Sequence, residues 1–340
     1  MPESSGKTSL LRILHSALLR DADLLKEVPF LSSEVAVHSY SEGDIEYRLD
    51  KNPDPKTPRA SVKSRTLLGG LEKPKWNVMP DDGVPWIHEY LPVSRLYQGP
   101  SNPEMTFLSP PRDETEMGLE SRFSSNLIST WKDYTASLAR ELNRIQERGL
   151  AQILARVISR TEPSVKDEGA DSSASFEAVA TFLARRGMRE IVPTEEEFKK
   201  RYGKDRQFQY LVRDIEEVEK QIAAATAPTN ELRELLREML AGGKEVDLED
   251  DAIEVAILGK KLSLSMLSSG EKQLLKILVA AISAGSSVIL VDEPELSMHI
   301  DWQRRLIRSM RTLSPLAQII IATHSPEIMA DIPDNQVFQI

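Results

Sequence analysis

Residues 288–294 read Val-Ile-Leu-Val-Asp-Glu-Pro, an apolar run that ends abruptly in two carboxylates. A short unbroken apolar segment suits a strand covered on both faces, which puts Asp292 and Glu293 at the C-terminal tip of a buried strand. A second run, Ile319-Ile320-Ile321-Ala322, ends in the same manner with Thr323-His324-Ser325, and helical spacing over 302–312 lies between the two. This βαβ alternation predicts a mainly parallel sheet with the carboxylates and His324 along its C-terminal edge, where α/β folds hold ligands. Upstream, Leu267-Ser268-Ser269-Gly270-Glu271-Lys272-Gln273 is a Ser-Gly turn opening a helix over 271–284. Ser268 and the N–H groups of Ser269 and Gly270 therefore form a candidate anion site at a helix start.

The other end of the chain supplies a matching piece. Met1 to Ser9 reads M-P-E-S-S-G-K-T-S, a phosphate-binding loop G-x-x-x-x-G-K-[ST] with Met1 at the place of the opening glycine. Ser5 to Ser9 are the candidate cradle: the loop around Gly6 turns N–H groups to phosphates, Lys7 reaches the β and γ oxygens, and the Thr8 hydroxyl ligates Mg²⁺. Asp292 is expected to complete the Mg²⁺ shell, Glu293 to orient or deprotonate the attacking water, and His324 to hydrogen-bond the γ-phosphate. ATP and Mg²⁺ are the expected cofactors. Because a γ-phosphate in this loop would already be held by its own subunit, the Ser268–Gly270 site is expected to cap the nucleotide of another copy. A phosphate loop normally follows a buried strand, so the reading frame is expected to extend upstream of Met1. With methionine in place of glycine, weak nucleotide binding is expected of the chain as written.

The segments ESSGKTSLLRIL, LSSGEKQLL, VILVDEPELSMHIDWQ and IIIATHSPEIM, in that order, closely resemble the ABC-type ATPases, in particular their soluble SMC-, RecF- and OLD-like branch. The resemblance covers roughly the first 100 and last 90 residues. It implies an α/β ATPase head, with a mainly parallel sheet, an antiparallel β subdomain and an inserted helical region. It further implies that Asp301 lies at a dimer interface and that Gln98 contacts Mg²⁺ and the water; a solitary loop glutamine also has a plain solvent-facing reading.

Composition fits a globular protein of two domains: 340 residues, 40% of them hydrophobic. The absence of cysteine excludes disulfides and thiol catalysis. No apolar run is long enough to span a bilayer and no leader precedes the loop, so a cytoplasmic protein without membrane attachment is expected. A net charge of −10 argues against a constitutive nucleic-acid coat. Local basic clusters at Lys199-Lys200-Arg201, Arg304-Arg305 and Arg308 to Arg311 leave DNA binding open. His299 is expected to be a helix-start or interface residue rather than to hold a metal.

Along the chain, 1–100 is expected to be the first part of the head, 101–250 the helical insertion, and 251–340 the remainder of the head. A helix is predicted from Thr8 to about Val28. Strands are predicted at 35–37, 45–47 and 66–68, with a strand-like stretch, 91–98, leading to Gln98. Helices are predicted over 123–158, 176–186, 207–225 and 230–240, with a loop at 161–175. Two long helices with a break between them would pack as an antiparallel arm. A hairpin at 253–264 and a last strand from Val337 complete the pattern.

The resemblance leads to an ATPase whose nucleotide-driven dimer, or higher oligomer, opens and closes to sense or gate a separate effector, a nuclease or toxin, as in bacterial anti-phage systems. A RecF-like DNA repair ATPase and a slow nucleotide-dependent switch are the alternatives.

Overall fold

The computed structural model describes residues 6–26, 28–39, 43–50, 77–79, 88–92, 116–159, 172–240 and 243–340. The chain divides into two compact units, one of Met1–Ser125 with Ser263–Ile340 and the other of Asn126–Leu262.

In chain order the first unit begins with helix α1 (Gly6–Leu19), strands β1 (Ser32–Ser39), β2 (Gly43–Asp50), β3 (Asn77–Met79) and β4 (His88–Leu91). Then come α2 (Glu116–Ser159), α3 (Ser172–Arg185), α4 (Glu195–Tyr202), α5 (Arg206–Met239), β5 (Lys244–Leu248), β6 (Ile253–Ile257) and β7 (Lys260–Leu262). The chain returns to the first unit with α6 (Ser269–Ala284), β8 (Val288–Asp292), α7 (Ile300–Leu313), β9 (Gln318–Ala322) and α8 (Pro326–Met329).

The first unit is an α/β ATPase head. A parallel sheet in the order β4-β8-β9 pairs Leu91 with Val291 and Asp292 with Ala322, so the tips of β8 and β9 lie side by side. A separate antiparallel sheet runs β1-β2-β3. Leu11 and Leu18 of α1 pack with Leu290 and Ala322 of the parallel sheet, while Ala17 joins Ile45, Tyr47 and Leu49 of β2. Leu274, Leu275, Ile277 and Leu278 of α6 are completely buried, as an all-round apolar helix requires; each contributes roughly 1.5–3 kcal/mol of burial.

In the second unit α2 and α5 run antiparallel. Tyr134 bonds Thr229 at 2.9 Å, Arg156 pairs with Asp214 at 2.7 Å, and Gly149 lies so close to Val218 that a Cβ would overlap that side chain. Val179, Phe182, Phe198, Val212 and Ile215 share one apolar cluster with Ile145 and Ile153. The strands β5, β6 and β7 form an antiparallel sheet. The β6–β7 turn has positive φ at both Leu258 and Gly259, the twist that suits a two-residue hairpin.

Several boundaries differ from expectation. The predicted break at 225–230 is bridged, because α5 continues through Pro228 from Arg206 to Met239. Proline there removes one backbone bond, and the apolar face made by Ile222, Leu232, Leu235 and Leu236 outweighs the loss. Helix α3 begins at Ser172, inside the expected loop. Helix α1 ends at Leu19 rather than near Val28, and the chain then makes a short 3-10 turn, Ala22–Leu25, capped by Asp21. No strand forms at 337–340, which follows a 3-10 turn at Asp334–Gln336. Helix α4 and strands β3 and β5 have no counterpart among the expected elements, and β4 meets the expected strand-like stretch only at Leu91. The expected strand at 66–68, most of 91–98, and Gln98 lie outside the described residues.

Candidate active site

The two ends of the chain meet at the tips of β8 and β9. Thr8, in the first turn of α1, donates its hydroxyl to Asp292 Oδ1 at 3.1 Å. Lys7 Nζ donates to the Thr323 carbonyl at 2.7 Å and stands 3.4 Å from His324 Nδ1. These contacts join residues 284 to 317 positions apart in sequence, and the β8/β9 register accounts for them.

Asp292 is buried, and its Oδ2 has no hydrogen-bond partner. Burial pushes its carboxyl up to about 6; the Thr8 hydroxyl opposes the shift and the neighbouring Glu293 charge adds to it. A buried carboxylate with a spare oxygen beside a hydroxyl is a hard-oxygen donor set whose desolvation a divalent cation would offset, so these residues fit Mg²⁺. Glu293 has φ of +44°, an uncommon conformation for a side-chain-bearing residue, and its N–H donates to the Ala322 carbonyl at 2.8 Å. Strain of this kind concentrates where a side chain must be aimed.

The signature turn is built by its own helix. Ser268 caps α6: its hydroxyl accepts the Glu271 N–H at 3.3 Å, and its own N–H donates to Glu271 Oε2 at 2.8 Å. Ser268 and Ser269 are exposed and Gly270 is buried. A Cβ on Gly270 would overlap the Ser297 carbonyl oxygen and lie 3.5 Å from the Trp302 ring. Gly270 therefore permits a close backbone approach within one subunit, a role the sequence reading did not assign. His299 caps α7 by accepting the Asp301 N–H at 3.4 Å, and Asp301 itself is exposed.

Of the expected site residues, Lys7, Thr8, Asp292 and His324 come together directly, and Glu293 follows Asp292 at the strand tip. Gly6 and Ser9 begin the same helix as Lys7. Ser5 and Gln98 lie outside the described residues. Three further groups emerge. Glu295 Oε1 accepts the His324 N–H at 2.7 Å, and Gln303 joins Ser325 to the Met298 carbonyl. The available signal was their place within DEPELSMHIDWQ and THS, two strings already singled out.

The basic clusters are partly engaged by local acids. Lys199 pairs with Glu195 at 2.7 Å, Arg201 with Asp205 at 3.5 Å, and Arg304 with Glu327 at 2.6 Å. Among the described residues no group of three or more His, Asp or Glu side chains has the arrangement of a metal cluster, and no helix is long and apolar enough to cross a membrane.

An α/β head with a helix-borne lysine and threonine at the carboxylate-tipped edge of its parallel sheet defines the P-loop ATPase class. A family model described as "AAA domain, putative AbiEii toxin, Type IV TA system" matches residues 103–330, about two thirds of the chain. The chain belongs to this family. Among curated relatives, it is 29% identical over 93 residues to "Retron Vc95 probable ATPase" of Vibrio cholerae serotype O1 biovar El Tor, covering 23% of this chain and 18% of that protein. It is 27% identical over 115 residues to "Retron Ec83 probable ATPase" of Escherichia coli, covering 29% of this chain and 21% of that protein. The matched segments thus span about a fifth of each relative's length. A crystal structure of the Smc head domain with an extended coiled coil, bound to the C-terminal domain of ScpA and derived from Pyrococcus furiosus, aligns at 14% identity. Its TM-score is 0.35, over 95% of this chain and 81% of that one.

Proposed function

We propose that the protein binds and hydrolyses ATP with Mg²⁺ at the site formed by Lys7, Thr8, Asp292, Glu293 and His324, and that two copies sandwich the nucleotide. The observation that carries this reading is the contact of Thr8 with Asp292, beside Lys7 at the end of β9. Mg²⁺, when bound, would neutralise charge on the phosphate oxygens. Thr8 and Asp292 would hold it, and Lys7 would exchange the Thr323 carbonyl for a phosphate oxygen. Glu293 would orient a water and take its proton, while His324 would donate a hydrogen bond to the terminal phosphate. Ser268, with the N–H groups of Ser269 and Gly270, would cap the nucleotide of the other copy, and Asp301 would lie at that interface.

The family description and the retron names of two relatives support a further step. In this reading the nucleotide-driven dimer operates within a bacterial defence system and gates a separate effector protein, a nuclease or toxin, in the cytoplasm.

Glu293→Gln tests the core of the proposal. ATP binding should persist, an ATP-dependent dimer should accumulate in light scattering, and phosphate release should fall on the order of 10²-fold or more. Undiminished hydrolysis would remove Glu293 from the mechanism.

A further inference from the structure

The segment after Glu293 is tied to the segment carrying His324 by Glu295 and Gln303, two side chains that were not among the expected site residues. Glu295 Oε1 accepts the His324 backbone N–H at 2.7 Å. Gln303, on α7, accepts the Ser325 hydroxyl at 2.6 Å and donates to the Met298 carbonyl at 2.9 Å and to the Glu295 carbonyl at 3.5 Å. Ser325 in turn accepts the Glu327 and Ile328 N–H groups as the cap of α8, and its own N–H donates to Thr323 Oγ1 at 2.9 Å. Each residue flanking His324 is thus held, although His324 itself is exposed.

The choice of carboxylate at 295 is informative. Glu295 Oε2 is buried with no hydrogen-bond partner, an arrangement that costs desolvation and that a neutral side chain would lessen. The remaining oxygen alone makes the bond to the His324 N–H, so an acceptor at this position is what the contact requires. An unheld exposed loop residue would sample several backbone states, and displacement of a contacting group by an ångström can cost on the order of 10²-fold in rate.

We propose that Glu295 and Gln303 are positioning residues, which fix the stance of the His324 turn relative to Lys7 and Glu293 so that hydrolysis depends on them. The inference rests on the ATPase reading above, and its test separates the two. Glu295→Ala should leave affinity for a fluorescent ATP analogue within about threefold and lower turnover by about 10-fold to 10²-fold. Glu295→Gln retains an acceptor oxygen for the His324 N–H and should recover most of that loss. In a double-mutant cycle, adding Glu295→Ala to His324→Ala should cause little further decrease, because one residue acts through the other.

Amide hydrogen exchange at His324 reads the clasp without any need for turnover. It should quicken in Glu295→Ala and return towards the native rate in Glu295→Gln. Unchanged exchange, additive losses in the cycle, or a glutamine variant as slow as alanine would each overturn the inference. A wild-type protein with no ATPase activity would overturn the proposed function alone, and the exchange experiment would still decide the clasp.

Discussion

The two units bury different kinds of side chain. Among the described residues, the wholly buried polar residues of the head are Ser16, Glu271, Asp292, Ser309, Ser314, Thr323 and Ser325, whereas the helical unit has only Ser175, with single buried oxygens on the partly exposed Asp214 and Glu219. Buried polar groups must be matched by partners or they destabilise a fold. The head accepts that demand where Thr8 meets Asp292 and Gln303 meets Ser325. The helical unit is instead a packing solution, with Phe182, Phe198, Val212 and Ile215 in one apolar cluster and charged pairs such as Lys199–Glu195 and Arg201–Asp205 on its surface. Chemistry and packing have been assigned to separate stretches of chain.

That contrast can be broken most severely at Lys7. Lys7→Ala should weaken ATP binding on the order of 10²-fold or more, because a charge-assisted contact to phosphate is removed. Titration with a fluorescent analogue measures it, and unchanged affinity would remove α1 from the site. Mixing this variant with Ser268→Asp sharpens the test of the sandwich. Aspartate caps a helix as well as serine does, while its charge opposes a facing phosphate. Gly270 is a poorer probe, since any Cβ there strikes Ser297 of the same subunit. A mixed dimer holds one composite site with both defects and one with neither, so partial recovery of ATPase activity is expected. Failure to recover, with mixed dimers present in light scattering, would mean that the sites fire only together or that the sandwich is wrong.

Gly149→Leu addresses the other side of the comparison. The added side chain must displace Val218 where α2 and α5 approach, and overpacking of this kind costs about 1–3 kcal/mol. Chemical denaturation should show the loss in the transition of the helical unit. A loss of ATP affinity as large as that of Lys7→Ala would abolish the division of labour.

A smaller effect, confined to acid conditions, is expected from His15. It bonds His88 at 2.7 Å and stacks on Tyr90 at 4.4 Å. Burial, with the His88 charge adding to it, lowers its pKa to about 3. The unfolded chain protonates near 6.5 and the folded one does not, so stability falls as pH drops through that window. At pH 5 the penalty from this residue is about 2 kcal/mol. His15→Phe should flatten the acid side of the pH–stability curve between 6.5 and 5, and an unaltered slope would assign the acid loss to other groups.

The motif residues were legible because each stands at the end of a strongly patterned element. Asp292 and His324 close apolar runs, and Lys7 and Thr8 open a helix whose Leu11 and Leu18 pack inward. Their meeting follows once β8 and β9 are parallel neighbours. Glu295 and Gln303 were not legible as a clasp, since their partners are one N–H and one hydroxyl beyond another strand and no periodicity encodes that contact. In the helical unit, Pro228 was a misleading signal. Local preference argues for a stop, but two turns of buried leucine beyond it keep α5 intact. Helix α4 was missed although Thr194 and Glu197 form a capping box, because at eight residues it is too short to establish a hydrophobic period.

The backbone twist at Glu293 bears on how such a protein can change under selection. Held at φ of +44°, the residue occupies a conformation that glycine adopts more readily, by about 1 kcal/mol or more. Glycine at this codon would relieve the chain and delete the acid in the same step. Heat resistance and turnover therefore favour opposite alleles at position 293. A lineage propagated for thermal survival alone would drift towards silent, well-folded descendants, and glutamate persists there only while something downstream continues to require the reaction.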